Sequence, residues 1–449
     1  MVKEKTFIIA GFDNPLIDML LGGLEPPGEE IRLKVIKNPY NPEKRLLLLQ
    51  AGNQEASKTV TRKLAHYGKY SELAFTGGRV THKAIAGSRN GIPVLSRPAP
   101  AVVKPGEKKT LDDIFAELLK NRVIFVGEQH DRFAHHINQL QVIKKLHAAG
   151  VKFGVGMEMF QKPYQPAIDD YLADRINERT FLVRSDYYNK WRYDYNLYKP
   201  VIDFLKKNKI PLVALNIEGD VTRKTAREGI DSLSAEQRRQ VPDRLDFSNE
   251  QYREDLYAVF STHGKNAGLD DFMYFLQSQT LWDETMAAGA AGFLNTNPDH
   301  KLVVLAGNGH VRFKYGIPQR LYRRVKAPYC VIVQDDEVKN GIADYVLFTT
   351  DIEGVKAPRL GITVKENEGS LTVKDVFEKA PAGRAGVQAE DIITALAGHP
   401  IRTLADLKIA LFYTKIGDRV TIRVERNGET LEKEVVLKAH PRHIPMVEK

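Results

Sequence analysis

Four short apolar runs, residues 123–126, 153–157, 211–216 and 301–306, constrain this chain more than any other feature. Such runs lack the polar alternation of a half-exposed strand, so each reads as a strand covered on both faces. Between them lie segments with helical spacing. The first carries Phe133, Ile137, Leu140 and Ile143 on one stripe and stops at Gly150, a left-handed cap position. Buried strands alternating with helices belong to the α/β class, with a mainly parallel sheet and helices on its faces.

The carboxyl ends of parallel strands share one edge, where ligands bind. Glu128 and His130 follow the first run, Glu158 the second, Asn216 and Glu218 the third, and His310 the fourth. These residues are therefore expected as neighbours around one cavity. Two imidazoles and two carboxylates can hold a divalent metal with a position open for water, or act as a general acid and base. The expected catalytic and metal set is Glu128, His130, Glu158 and His310, with His263 in the intervening helical stretch as a further ligand. A lone strand-end His is more often structural. Polar residues placed after every buried strand tip the balance toward a site.

Between Tyr187 and Tyr198 stand Tyr188, Trp191, Tyr193 and Tyr195. That density of rings with polar tips suits a flat aromatic ligand or carbohydrate, and a phenolate can ligate ferric haem. Any single tyrosine at helical spacing is more readily a core residue. Tyr164, shortly after Glu158, joins the same pool. Asp283 and Glu284, in an amphipathic stretch over residues 279–291, read as a solvated face.

Composition bounds the alternatives. The chain has 449 residues, 43% hydrophobic and 27% charged, as an ordinary folded protein does. At about 150 residues per domain this allows roughly three domains. No apolar run approaches the ~20 residues of a membrane helix, so no transmembrane span is expected. The opening is too short in apolar residues for a secretory leader, which leaves a cytoplasmic chain or a mature form. The net charge of +9 is spread along the chain, and no zinc-finger, RNP or basic-zipper pattern is present, so nucleic acid is not expected as a partner. The single Cys330 excludes an intrachain disulfide.

Composition shifts divide the chain. Residues 1–95 read as a small α/β domain, with strands over 6–10, 31–36 and 45–50 and a helix capped by Asn53. Residues 96–110, rich in Pro and Lys, read as a linker; 111–345 carry the alternating pattern; and 350–440 read as a β-rich domain. There, Asn427-Gly428 between two alternating runs marks a hairpin, and a helix is expected near residues 403–412.

The middle segment also carries a family resemblance. Gly127-Glu128-Gln129-His130, the His135-His136 pair with Gln139, Gly156-Met157-Glu158, the aromatic cluster, Ala214-Leu215-Asn216 and the stretch around His310 together resemble the ChaN family. Those are haem-binding uptake proteins of the superfamily that includes Tiki, TraB and erythromycin esterase proteins. The resemblance implies haem or another small molecule as ligand and a role in haem uptake or handling, with the tyrosine ligand sought among Tyr164, Tyr187, Tyr188, Tyr195 and Tyr198. Its hydrolytic relatives imply the alternative of a metal-dependent hydrolase using Glu128, His130, Glu158 and His310 with Mn, Zn or Co. A ligand shared across a homodimer is left open.

The last segment, with Ala380-Pro381, Ala385-Gly386-Val387 and Asp391-Ile392-Ile393, resembles PDZ domains of the HtrA type. That implies a loop at Arg359, Leu360, Gly361 and Ile362 binding the C-terminal peptide of a partner protein. It also implies a location in the periplasm or cell envelope, with the cytoplasm not excluded.

Overall fold

The computed structural model describes residues 7–10, 31–38, 41–51, 67, 70–84, 109–262 and 269–438, apart from 353 and 356. Two compact units divide the chain at residue 100. In the first, a five-stranded sheet runs β1 (Phe7–Ala10), β3 (Asn41–Ala51), β2 (Ile31–Asn38), β4 (Glu72–Thr76), β5 (Arg79–Ala84). Only the β1–β3 pairing is parallel. Ile31, Leu33, Leu73 and Phe75 share its core. The hairpin β4–β5 turns on Gly77 and Gly78, both at positive φ, a conformation glycine adopts without a Cβ penalty. The helix expected after Asn53 and the linker at 96–108 lie outside the described residues.

In the second unit, β6 (Val123–Glu128), β7 (Phe153–Gln161), β8 (Leu212–Asn216), β9 (Lys301–Gly307), β10 (Tyr329–Gln334) and β11 (Tyr345–Leu347) form one sheet in the order β11-β10-β6-β9-β7-β8. Every pairing in it is parallel. Side chains alternate between two cores. Ile124 and Val126 face the helices Phe133–Ala148 and Lys199–Lys207, while Val123 and Phe125 face the helices Leu269–Thr296 and Ile317–Val325. Both faces of β6 are therefore apolar, which is why its sequence shows no alternation. A Cβ on Gly156 would lie 2.8 Å from Leu215 Cδ1, so glycine is what lets that leucine close over β7.

The chain leaves β6 for β7 on one side, and leaves β9 for β10 on the other. Connections diverge between β6 and β9, and such a divergence opens a crevice at the carboxyl edge of the sheet.

The remaining sheet runs β12 (Ile362–Asn367), β13 (Ser370–Val376), β14 (Ile392–Leu396), β16 (Arg419–Arg426), β17 (Glu429–Val436), with β15 (His399–Pro400) beside β14. It is antiparallel throughout. Asn427 and Gly428, both at positive φ, close the β16–β17 hairpin. Arg426 clamps buried Asp391 through two charge-assisted bonds of 2.7 and 2.8 Å. The helix Leu404–Phe412 begins in a capping box between Thr403 and Asp406. Leu407 and Ala410 of this helix enter the core of the C-terminal sheet, whereas Ile409 joins the core of the parallel-sheet domain.

Candidate functional site

Register builds the site. Glu128 pairs with Gly307 across β6–β9, and Met157 pairs with Leu305 across β9–β7, so Glu128, Gly307 and Glu158 stand at nearly one level on three adjacent strands. The Gly307 N–H donates to Glu158 Oε2 at 2.8 Å. Beyond Gly307 the chain makes one short turn, Asn308–Val311, which lifts His310 over the same edge. Its Nε2 lies 3.4 Å from Glu158 Oε1, and its Nδ1 lies 2.6 Å from Asp283 Oδ1. Asp283 also accepts from the Tyr252 hydroxyl at 2.6 Å. The turn ends with Phe313 and Lys314 both in left-handed backbone, a local cost that the surrounding packing sustains.

On the opposite side His130 Nδ1 is hydrogen-bonded to Glu128 Oε1. A Cβ on Gly307 would lie 3.0 Å from His130 Cε1, so glycine lets the imidazole lie down over β9. The loop beneath is held by the His130 carbonyl, which accepts from Tyr198 Oη–H and His136 Nε2–H, each at 3.2 Å. His135 Nδ1 accepts from the Gln129 N–H at 3.0 Å, which leaves its Nε2–H to donate to Asp335 at 2.9 Å.

Both carboxylates are buried, while the His130 side chain is 26% exposed and marks the opening to solvent. Trp191 stands edge-on to the His130 ring at 4.8 Å, and Tyr193 tilts against it at 5.1 Å. Trp282 flanks His310 at 5.3 Å. The crevice thus has an aromatic rim over a charged floor.

Charges on that floor hold one another. Burial disfavours an ionised Glu158, but the His310 and His130 imidazoles and the Gly307 N–H bring its carboxyl down to about 2. Burial likewise opposes a charged His310, yet Glu158 and Asp283 hold it well above the usual imidazole value. His130 is raised too, since its hydrogen bond to Glu128 and the nearby Glu158 outweigh its desolvation. Glu128 Oε2 is buried without a partner.

The four strand-end residues come together as the sequence implied. Within that arrangement His310 has a carboxylate beside each ring nitrogen and His130 has one at Nδ1. Among the described residues no group of three or more His, Cys, Asp or Glu is arranged to hold a metal ion. His263 lies outside the described residues. Asn216 serves the backbone, donating to the Glu158 carbonyl at 2.9 Å.

The structure places the aromatic cluster mostly inside. Tyr187, Tyr195 and Tyr198 are at most 1% exposed, and with Tyr188 they belong to the core beneath the helices. Tyr164 is half-buried, its hydroxyl 3.5 Å from Asp186 Oδ2. Tyr193 is the exposed member, and the sequence reading did not single it out. Asp283 and Glu284 are also buried, which corrects the solvated face expected of them. Asp283 binds His310, and Glu284 lies among Arg320, Arg323 and Arg324.

In the C-terminal sheet β12 is an edge strand that pairs, among the described residues, with β13 alone. Ahead of it Gly361 has a φ of 73°. The Leu360 and Gly361 carbonyls accept from the N–H groups of Ala382 and Phe377, and the Arg359 N–H donates to the Lys438 carbonyl at 3.2 Å.

Comparison with known proteins bears on both domains. Residues 114–321 match the family described as haem-binding uptake, Tiki superfamily, ChaN, and residues 358–437 match the PDZ domain family. The periplasmic pH-dependent serine endoprotease DegQ of Escherichia coli is 27% identical over 184 residues, covering 40% of this chain and 38% of the relative. The serine protease Do-like HtrB of Bacillus subtilis is 41% identical over 72 residues, 16% of either chain. The chain thus spans well under half the length of the curated relatives it matches. A solved structure of cofacial haem binding to ChaN of Campylobacter jejuni aligns at 20% identity and a TM-score of 0.45, covering 54% of this chain and 93% of that one.

Proposed function

We propose that the middle domain, a ChaN-type domain of the Tiki superfamily, binds haem at its strand-end crevice, and that the PDZ domain after it docks the carboxyl terminus of a partner protein. The observation that carries the reading is Tyr193, an exposed phenol held against His130 at the mouth of the crevice. The donor chemistry fits the cofactor. A phenolate is an established ligand of ferric haem, and Trp191 offers a flat flank. When bound, haem would supply redox or iron-carrying chemistry.

The protein's own groups have definite parts in this reading. Glu128 fixes the His130 ring through Nδ1, which leaves Nε2 over Gly307 and, among the described residues, without a carboxylate partner. Partial burial and the nearby Asp131, Glu128 and Glu158 raise the Tyr193 phenol above its ordinary value, so it waits protonated. Ligation through its oxygen therefore releases a proton. The family description, haem-binding uptake, and relatives named as periplasmic support a role in haem uptake or handling in the periplasm or envelope.

Titration of the purified chain with haemin, followed by absorbance, tests the reading. Saturable binding at micromolar haemin is expected, and a featureless, non-saturating change would count against it.

A hydrolytic role is the second reading, favoured by one observation. His310 is braced by Asp283 on one nitrogen and faces Glu158 with the other, a carboxylate–imidazole arrangement suited to proton transfer. Turnover of activated esters that disappears in His310→Gln would support it.

A further inference from the structure

The helix Leu404–Phe412 of the PDZ domain is covered on two sides. Leu407 and Ala410 enter the core of the C-terminal sheet, while Ile409 is buried in the core of the middle domain, with Ala405 and Phe412 packed against that core. Phe412 also meets Tyr195 edge-on at 5.3 Å, and the Tyr413 hydroxyl just beyond the helix donates to Glu178 Oε2 at 3.5 Å. A third side borders the free edge of β12. There the Leu404 N–H donates to Glu366 Oε2 at 2.9 Å, and Leu411 shares the same core with Ile362 and Val364, all three only partly covered. An extended peptide that adds to β12 would therefore pack alternate side chains on this helix.

The same helix also reaches the rim of the crevice. The Lys408 ammonium donates to the Arg192 carbonyl at 3.3 Å and sits 5.6 Å from the centre of the Tyr188 ring. That carbonyl belongs to the planar peptide unit joining Arg192 to Tyr193, so the bond bears on the plane from which the Tyr193 side chain departs. Residues 191–194 belong to no helix or strand. The Tyr193 N–H bonds locally, to the Trp191 carbonyl, and Lys408 supplies the tie to the C-terminal domain. The Tyr193 ring rests against Trp191 at 5.6 Å and against His130 at 5.1 Å. A shift of the Arg192–Tyr193 peptide therefore moves the phenol at the mouth of the crevice.

We propose that Lys408 is a positioning residue for Tyr193, and that through it the docking of a C-terminal peptide beside β12 tightens haem binding at the crevice. The inference rests on both parts of the proposed function, haem ligation at Tyr193 and peptide docking by the PDZ domain, and adds that the two sites are linked. A peptide buried along the helix holds Lys408 where it already meets the Arg192 carbonyl, so less freedom is left to lose when the phenol is fixed by a ligand. Linkage makes the effect reciprocal.

The test uses the full chain, haemin, and a pool of decapeptides randomised except for a terminal Val, Leu or Phe. Anisotropy of the fluorescein-labelled pool establishes docking to the haem-free protein. In the wild type, saturating peptide should tighten haemin binding by about fivefold in an absorbance titration. In isotope-labelled, haem-free protein the same peptide should shift the Tyr193 Cζ resonance, assigned with Tyr193→Phe. Lys408→Met keeps most of the side-chain stem and removes the donor. It should lose both effects while retaining peptide binding and the urea midpoint, and Lys408→Arg should restore them. Both effects undiminished in Lys408→Met, or no effect of docked peptide in the wild type, would overturn the coupling and leave the proposed function standing. A wild type that binds neither haemin nor peptide would overturn the proposed function and the coupling with it.

Discussion

Asp283 Oδ1 lies 2.6 Å from His310 Nδ1, joining the middle of a long helix to the turn after β9. Through that bond the imidazole is oriented so that its other nitrogen meets Glu158, and the charged floor of the crevice acquires a fixed geometry. Loss of Asp283 therefore reaches beyond the residue itself.

Asp283→Asn keeps the shape of the side chain and removes a negative charge from beside His310. Its imidazole should then titrate at lower pH than in the wild type, read from the histidine Hε1 resonance. An unchanged titration would show that Glu158 alone sets the value. Asp283→Ala additionally strips the Tyr252 hydroxyl of its acceptor, and should destabilise the domain by about 3–5 kcal/mol in urea unfolding, the usual cost of orphaning one member of a buried pair.

The Glu158–His310 pair gives stability a pH dependence with two limbs. Glu158 is held at about 2 against an ordinary value of 4.5, so its contribution is complete above 4.5 and drains away as pH falls toward 2. His310 is held above its ordinary 6.5, so its contribution is complete below 6.5 and is lost as pH rises through the folded value. The urea midpoint should therefore be highest between about 4.5 and 6.5. His310→Gln should flatten both limbs, and equal slopes in the variant and the wild type would contradict the assignment.

Two glycines should behave differently. Gly127→Ala drives a methyl into the Asn308 side chain, which bridges to the Gln334 backbone, so a cost of about 1–3 kcal/mol is expected from overpacking. Gly307→Ala crowds the edge of the His130 ring, at 3.0 Å, and meets Glu158 Oε2 at an ordinary contact of 3.7 Å. It should leave the melting temperature nearly unchanged and weaken haemin binding by displacing that ring. Equal effects of the two changes on stability would argue against the packing described.

Because Tyr193 is held protonated, haemin binding through its oxygen should tighten as pH rises, by up to about tenfold per pH unit below the phenol's own titration. A binding constant independent of pH between 6 and 8, as order-of-magnitude bounds for such a titration, would mean that no proton leaves on ligation.

The parallel sheet and the convergence of Glu128, His130, Glu158 and His310 were legible because buried strands announce themselves by unbroken apolar runs, and a parallel sheet has only one carboxyl edge. Asp283 was not, since its helix passes from a more open first half into the domain core, and no simple periodicity marks where an acidic residue turns inward. Tyr193 could not be told from Tyr187, Tyr195 and Tyr198 because the cluster folds as short turns, Tyr187–Lys190 and Tyr195–Leu197, too brief for a readable face. In the N-terminal unit the strands β4 and β5 were missed although Gly77-Gly78 between two alternating runs was a usable hairpin signal.

The most direct measurement is the spectrum of the haemin complex in Tyr193→Phe set beside Tyr195→Phe. Loss of the high-spin tyrosinate signature in the first, with retention in the second, is the predicted result. A tyrosinate spectrum that survives in Tyr193→Phe, or no haemin complex in the wild type at all, would contradict the account.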